Sequence, residues 1–359
     1  MSDNIQTKVR SDAEQLVREC LAANPVVILG SGASVGLGLP TMGQLAERIV
    51  EEVGKLGLDP AKWTVLFDAW QVGEGLEAAL NKAQLDEASP LYAAIVDSVW
   101  KMVAWQDVMA FEKVRAGHVL PHAKLFKYLF GSSARNVTVI TPNYDRLAEY
   151  GADQGGFCHR SGFVGAYLRT WQGPTHAPRY LRGDVRQEDR TVDLLKVHGS
   201  LDWFRAEKDR DAIGLPVHAS AEDNLKPPTG MRPVIVPPAK FKYAQTHFEP
   251  YRSLMTEADR VIKKAEAFLA IGFGFNDDHV QDHLTRAMRD RPKPLVMVTK
   301  SLTDMAKKAL EDASKSLRYC VLTEGQPGTT MVYTDEHRTG VEIEGIDAWS
   351  FDGFANEYL

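Results

Sequence analysis

A histidine, an asparagine and a glycine-rich string each stand directly after a short apolar run of this chain. An imidazole such as that of His198 can take up a proton near neutral pH. The carboxamide of Asn143 both donates and accepts hydrogen bonds, so it can hold a ribose hydroxyl and a water together. Residues 30–34, Gly-Ser-Gly-Ala-Ser, are small enough to let a diphosphate approach backbone N–H groups. Together the three strings predict a nucleotide pocket.

Five short apolar runs have the composition of buried parallel strands. They are residues 26–29, 136–140, 192–197, 267–271 and 294–299. Helical patterns alternate with them, which predicts an α/β fold with a Rossmann-like, doubly wound parallel sheet. Because the carboxyl ends of parallel strands meet at one edge of such a sheet, the polar strings that follow the strands come together there.

The helical patterns are found at the start of the chain, in one long insertion and near the end. Residues 12–23 are amphipathic, and Thr41 is a candidate N-cap for the helix after the glycine-rich string. Residues 55–135 show helical patterning and few strand signals, which predicts a helical insertion after the first strand. Another helix is predicted over residues 250–265.

The remaining segments are predicted to be loops, apart from one hairpin. Residues 155–190 and 208–238 are rich in Gly, Pro and polar residues, so we expect surface excursions there. Residues 331–343 have the pattern of a β-hairpin. We therefore divide the chain into a nucleotide-binding domain, residues 1–325, and a β-rich tail, residues 326–359.

The composition narrows the class of protein. The chain has 359 residues and is 44% hydrophobic, which is enough for one large core or two modest domains. A net charge of −6 argues against direct nucleic-acid binding. The 3 cysteines, Cys20, Cys158 and Cys320, are far apart, so we expect neither a zinc site nor a disulfide framework. A polar N-terminus, and no apolar run of roughly 18 residues, predict a cytoplasmic protein that does not cross a membrane.

Each string also has a plain structural interpretation when it is taken alone. The glycine-rich string could be an ordinary strand-to-helix turn, Asn143 could cap a helix, and a single histidine such as His198 is more often structural than catalytic. Val35 stands where a dehydrogenase fingerprint has its third glycine, which disfavours a dehydrogenase. We interpret Gly199 as removing bulk beside His198 so that a substrate can approach.

Two further groups of polar residues could be mistaken for metal sites. The first follows a late glycine-rich string and has two adjacent aspartates, which are typical of a helix start; it consists of Asp277, Asp278, His279 and His283. The second is the pair His118 and His122, which lacks the glutamate of an HExxH motif and is interrupted by Pro121. We therefore predict no metal site.

The combination of strings resembles the Sir2-like, sirtuin-related domain, in the zinc-free bacterial branch found in anti-phage defence proteins. Residues 30–34 look like the phosphate loop of that branch, and residues 38–41 resemble the segment after it. Residues 141–145, Thr-Pro-Asn-Tyr-Asp, match its asparagine motif, and residues 196–200, Lys-Val-His-Gly-Ser, match its histidine motif. Residues 272–279 are similar to its late glycine-rich motif.

The resemblance implies that residues 1–325 are a Sir2-like NAD-binding domain and that NAD is the substrate. It implies that Asn143 orients the ribose and a water, and that His198 acts as the base. Asp145 would hold the nicotinamide carboxamide or stabilise the cationic transition state. The residues expected to contact NAD lie at the ends of four strands: Gly30, Ser31, Gly32, Ala33, Ser34, Thr141, Gly272, Phe273, Asn276 and Thr299.

The resemblance further implies an NAD glycohydrolase that releases nicotinamide and ADP-ribose and acts in anti-phage defence by depleting NAD. A partner ATPase of the HerA type and a symmetric homo-oligomer are additional expectations. The missing zinc cysteines, and Pro142 where deacylating sirtuins usually have glutamine, argue against peptide deacylation. An NAD-dependent deacylase and a non-catalytic sensor of NAD or ADP-ribose remain alternatives, and hydrolysis is not distinguished from cyclisation.

Overall fold

A large parallel sheet lies at the centre of this protein in the computed structural model. The structure describes residues 2–86, 88–132, 134–174, 190–206, 211–237, 248–275 and 278–359. The strands are β1 (Val26–Leu29), β2 (Asn136–Thr141), β3 (Cys158–Arg160), β4 (Phe163–Val164), β5 (Arg169–Trp171), β6 (Thr191–Lys196), β7 (Gly199–Ala206), β8 (Ile213–Gly214), β9 (Met231–Ile235), β10 (Phe268–Ile271), β11 (Leu295–Val298), β12 (Tyr319–Glu324), β13 (Thr329–Thr334) and β14 (Val341–Glu344).

The central sheet has the strand order β14-β13-β12-β11-β10-β1-β2-β6-β3. β1 pairs in parallel with β10 on one side and with β2 on the other. The chain leaves β1 toward β2 and reaches the opposite side only at β10, so the topological switch point lies between β1 and β10. The predicted doubly wound parallel sheet is confirmed, and each of the five predicted strands agrees with an observed one to within a residue at either end.

Helices cover the sheet and build a separate layer beside it. They are α1 (Ser2–Ala22), α2 (Gly32–Val35), α3 (Met42–Glu52), α4 (Pro60–Gln71), α5 (Leu76–Ala83), α6 (Pro90–Arg115), α7 (Pro121–Gly131), α8 (Leu147–Gly155), α9 (Tyr251–Lys264), α10 (Asp278–Asp290), α11 (Asp304–Glu311) and α12 (Phe351–Tyr358). α1 begins ten residues before the predicted start, and α12 was not predicted from the sequence. Within the described chain, no helix is long and apolar enough to span a membrane.

The predicted helical insertion is present between β1 and β2. Thr41 caps α3 as predicted: its hydroxyl accepts from the backbone N–H of Gln44, whose side chain accepts from the backbone N–H of Thr41. The apolar faces of α3 to α6 form a core of their own, around Leu45, Leu80 and Trp100. This core continues to the neighbourhood of β7, because Trp100 Nε1 donates to the main-chain oxygen of Leu201 at 2.8 Å.

A second sheet, with the order β4-β5-β8-β7-β9, was missed from the sequence. Four of its strands, β4, β5, β8 and β9, occupy parts of residues 155–190 and 208–238, so the prediction that these segments are only surface loops is wrong for the parts that the structure describes. Residues 175–189, 207–210 and 238–247 lie outside the described residues. Only Val197 and His198 separate the end of β6 from the start of β7, so the chain passes from the first sheet to the second through His198.

The predicted C-terminal hairpin is also confirmed. β13 and β14 are antiparallel, and β13 continues the central sheet by pairing with β12. α1 packs against this pair, and α12 packs against α7. These strands therefore extend the same sheet that carries the switch point.

Candidate active site at the switch point of the sheet

A cavity of about 700 Å³ opens where β1 and β10 end. Its size falls in the range of roughly 300–1,000 Å³ that is usual for small-molecule and cofactor sites. Open α/β sheets bind ligands at such a switch point. The residues predicted from the sequence that line this cavity are Gly30, Ser31, Ser34, Asn143, Asp145, His198, Gly272 and Phe273.

Two glycine loops meet at the floor of the cavity. Gly30 N donates to Ile271 O at 2.9 Å, and Gly32 N donates to Gly272 O at 3.1 Å. Gly272 has φ +59°, and a Cβ there would lie 2.1 Å from the backbone nitrogen of Ala33. Only glycine permits this approach of backbone to backbone. Since several N–H groups of residues 30–34 already donate within the protein, a bound diphosphate would share these donors or use side-chain hydroxyls.

Asn143 is fixed by the two segments that flank it in space. Its backbone N–H donates to Thr141 Oγ1 at 3.0 Å, and Thr141 Oγ1 donates to Leu29 O at 2.7 Å. Its side-chain Nδ2 donates to Gly30 O at 2.9 Å and to Ser34 Oγ at 3.1 Å. The carboxamide therefore bridges the end of β2 and the glycine loop after β1.

Asp145 is buried behind Asn143. Its Oδ2 accepts from Ser34 Oγ at 2.8 Å, and its Oδ1 accepts from the backbone N–H of Leu147 at 3.2 Å. Burial raises the pKa of Asp145 to about 6, an effect that the nearby Lys196 ammonium opposes. The group is therefore mostly ionised at pH 7 and titrates within the physiological range.

His198 reaches the cavity from the turn between the two sheets. It is 6% exposed, and its main-chain oxygen accepts from Val236 N at 2.9 Å. Gly199, at φ +89°, lies so close to β9 that a Cβ would stand 2.0 Å from Val234 O. Glycine is therefore required here because β7 packs against β9. That Gly199 also gives room to a substrate stays a prediction.

The helical insertion supplies the other wall of the cavity. This wall is largely apolar, with Leu45 and Val103 among its members. α5 adds two polar side chains four residues apart, Glu77 and Asn81. Sequence reasoning missed both, because the amphipathic pattern of α5 shows which side is buried but not which cavity the opposite side meets.

A network of buried charges lies beneath the asparagine motif. Arg146 Nε donates to Asp107 Oδ2 at 2.9 Å, and Tyr150 Oη donates to the same oxygen at 2.7 Å. Asp107 is 0% exposed, so its charge is compensated by Arg146 and by hydrogen bonds rather than by water. A second ion pair lies in the second sheet, where Arg169 Nη2 on β5 is 2.7 Å from Asp202 Oδ2 on β7. Burial opposes ionisation of Asp202, but the surrounding cations hold its pKa below the usual value.

Other predicted NAD contacts lie apart from the cavity lining within the described residues. Thr141 is buried beneath Asn143, and Gly32 and Ala33 lie in the glycine loop behind Ser31. Thr299 follows β11, and its hydroxyl donates to Ser301 O at 3.4 Å. Asn276 lies outside the described residues. A contact between these residues and NAD stays a prediction.

The described residues also locate the groups that we weighed as metal ligands. His283 Nδ1 lies 2.6 Å from Asp259 Oδ1 on α9, and His122 is buried against the ring of Phe351. Cys20 and Cys320 are buried in the main core, whereas Cys158 is exposed on β3. In the described part of the chain, no three His, Cys, Asp or Glu residues are grouped to hold a metal ion.

A sequence profile of the SIR2-like domain matches residues 137–320, just over half of the 359 residues. The protein belongs to the SIR2-like domain family. In this SIR2-like chain the matched span contains the asparagine motif, the histidine motif and the late glycine loop, while the first glycine loop and the helical insertion precede it.

Solved structures of Sir2 proteins are similar to this SIR2-like chain. A Sir2 homolog–NAD complex shares 16% identity over 82% of this chain and 82% of its own, with a TM-score of 0.41. A Sir2 homologue mutant in complex with ADP-ribose shares 15% identity over 80% of this chain and 85% of its own, with a TM-score of 0.40. No curated protein sequence gives a significant match.

Proposed function

We propose that this protein hydrolyses NAD to nicotinamide and ADP-ribose in the cavity at the switch point. The observation that carries the proposal is that Asn143 and Asp145 from the turn after β2, and His198 from the turn after β6, line one cavity together with the glycine loops. Membership of the SIR2-like domain family supports NAD as the substrate.

The reaction places few demands on acid catalysis. The C–N bond between the ribose C1′ and the nicotinamide ring breaks, and its electron pair neutralises the pyridinium nitrogen, so nicotinamide leaves without being protonated. A water oxygen then bonds to C1′, and the proton that it loses passes to a base. A pair of glycosidase-like carboxylates is therefore not required.

Asn143, His198 and Asp145 each have a separate role in the rest of the reaction. With Nδ2 held by Gly30 O and Ser34 Oγ, the carboxamide of Asn143 has a fixed orientation, and its Oδ1 can accept from the water or a ribose hydroxyl. His198 accepts the proton of the water or of the ribose hydroxyl. Asp145, ionised at neutral pH, stabilises the cationic transition state or accepts from the nicotinamide carboxamide.

The apolar wall from the helical insertion supports the same chemistry. Leu45, Leu76 and Val103 limit the water around the reacting ribose. Low local polarity strengthens the interaction of a carboxylate with a developing cation. Bulk water would compete with the single water that is held in position.

The proposed role of this activity is anti-phage defence by depletion of NAD. An NADase that was always active would harm its own cell, so we include control by a HerA-type ATPase and by homo-oligomer formation in the proposal. Assay of the protein with and without co-purified ATPase tests this part, and equal rates in both would contradict it.

The activity itself is tested by mixing purified protein with NAD and no acylated peptide. The proposal predicts nicotinamide and ADP-ribose, with release lowered by roughly 10²–10⁴-fold in His198→Ala. Release only after an acylated peptide is added would identify a deacylase instead. Tight binding of NAD without product would identify a sensor, and a cyclic product would show that a ribose-bound nucleophile, not water, captures the cation.

A further inference from the structure

Beyond the residues that contact substrate, we propose that Lys196 is a positioning residue that holds the turn at residues 143–145 and His198 in one arrangement. This inference rests on the proposed function, because it concerns the same cavity. Lys196 lies outside the cavity lining in the described structure, so it acts through Asp145 rather than on the substrate.

The geometry ties two catalytic segments to one side chain. Lys196 ends β6 directly opposite Thr141, which ends β2. Its ammonium donates to the main-chain oxygen of Asp145 and lies 3.0 Å from Glu149 Oε1 on α8. His198 follows only two residues later. A shift of Lys196 would therefore move the end of β6 and the asparagine motif relative to each other.

Lys196 is a buried charge, which is unfavourable for the stability of the fold. Its side chain is 1% exposed, and that of its partner Glu149 is 12% exposed. Removing an ammonium from water is unfavourable even when it is paired, and an apolar side chain of similar length often replaces such a group without loss of stability. A Met side chain would fill the same space, so we infer that the positive charge of Lys196 is needed for the active site and not for packing.

The charge acts on Asp145 as well as on its backbone. Lys196 from β6 and Asp107 from α6 act on this carboxyl directly. The charged or titratable side chains linked to these two, or lining the same cavity, are Arg146 before α8, Glu149 from α8, Asp202 from β7 and His198 from the turn after β6. Burial raises the pKa of Asp145 and Asp107 raises it further, whereas Lys196 lowers it. Lys196 thus favours the ionised form that the reaction requires.

Lys196→Met is the decisive variant, and Arg160→Met is its matched control. Arg160 on β3 pairs at 2.6 Å with Asp193, which lies on β6 like Lys196; the Arg160 side chain is 19% exposed, and the pair lies away from the motif turn. We expect Lys196→Met to lower kcat for NAD by about 10–100-fold while KM changes little, because misplacement by about 1 Å can cost 10²-fold. The acidic limb of its pH profile moves up by about 1–3 pH units, since an opposite charge is lost. Arg160→Met keeps the wild-type kcat and the wild-type position of the acidic limb of the pH profile.

Further variants and a direct titration make every outcome informative. Lys196→Arg, which keeps the charge, returns the acidic limb to its wild-type position. If Lys196→Met does not fold, Lys196→Gln, which keeps hydrogen-bond donors but not the charge, is measured in its place: the acidic limb is expected at higher pH than in wild type, and an unmoved limb overturns the proposal. A Lys196→Met protein whose acidic limb stays at the wild-type pH, and whose loss of kcat is no larger than that of Arg160→Met, also overturns it.

If wild-type protein releases no nicotinamide, the proposed function fails. The carbon-13 titration of the Asp145 carboxyl in Lys196→Met then still tests the effect of Lys196.

Discussion

Replacement of Gly272 by alanine tests whether the two glycine loops define the cavity. The new Cβ would lie 2.1 Å from Ala33 N and 2.3 Å from Gly32 C. Both atoms belong to backbone, so the loops must separate by roughly 1 Å to reach ordinary contact distances. The backbone of Gly272, at φ +59°, is also unfavourable for any residue with a Cβ.

The two effects can be separated by a matched control. Gly57 has φ +61°, but a Cβ there meets nothing within 4 Å. Gly57→Ala therefore pays only the left-handed backbone cost of about 1–2 kcal/mol. Gly272→Ala adds an overpacking cost of about 1–3 kcal/mol, which gives about 2–5 kcal/mol in total. Of a typical folding free energy of about 5–15 kcal/mol, this is a large fraction.

Urea unfolding followed by circular dichroism measures the stability difference between the two variants. The rise in melting temperature on adding ADP-ribose measures whether the cavity still binds. We expect Gly272→Ala to lose more stability than Gly57→Ala and to lose the ligand-induced rise, which Gly57→Ala retains. Equal losses of stability in both variants, with the ligand effect intact in both, would refute the tight approach of the loops.

Three further predictions follow from the site and its supports. Nicotinamide release falls as the pH drops through about 6, because Asp145 becomes protonated; a rate that is flat between pH 5 and 8 would contradict its role. Because folding raises the pKa of Asp145 above its ordinary 3.8, its favourable contribution to stability is present below that value and lost as the pH rises through about 6. Asp145→Asn should accordingly be inactive yet more stable than wild type at pH 8, by up to about 3 kcal/mol in chemical unfolding; lower stability at pH 8 would show that the carboxylate is not strained by burial. Thr41→Ala removes a capping box and should cost about 0.5–2 kcal/mol, measured as a lower unfolding midpoint, whereas no change would mean that α3 does not need its cap.

The central sheet could be predicted from sequence because its signals are local. Short runs such as Val26–Leu29 are apolar on both faces and are followed by glycine or a polar residue, which is typical of parallel strands. The order of the motifs then placed Asn143 and His198 at one edge of the sheet by a general rule of open α/β folds. The shared cavity lining agrees with that reasoning.

What the sequence did not reveal depends on contacts between distant segments. β7 pairs with β8 and β9, which are short or interrupted by proline, so neither has a clear alternating pattern. Lys196 and Asp107 are charged residues within apolar stretches, and only the tertiary structure shows which partners compensate them. Glu77 lines the cavity, and only the tertiary structure shows that α5 lies beside it.

The most direct test of the account is release of nicotinamide and ADP-ribose from NAD by purified protein, with Asn143→Ala measured beside the wild type and no acylated peptide present. The account predicts equal amounts of the two products from wild type and a loss of about 10²-fold or more in the variant, because the carboxamide that orients the reacting groups is gone. Equal release by both proteins, or NAD that binds to wild type and is never cleaved with or without the ATPase, would contradict it.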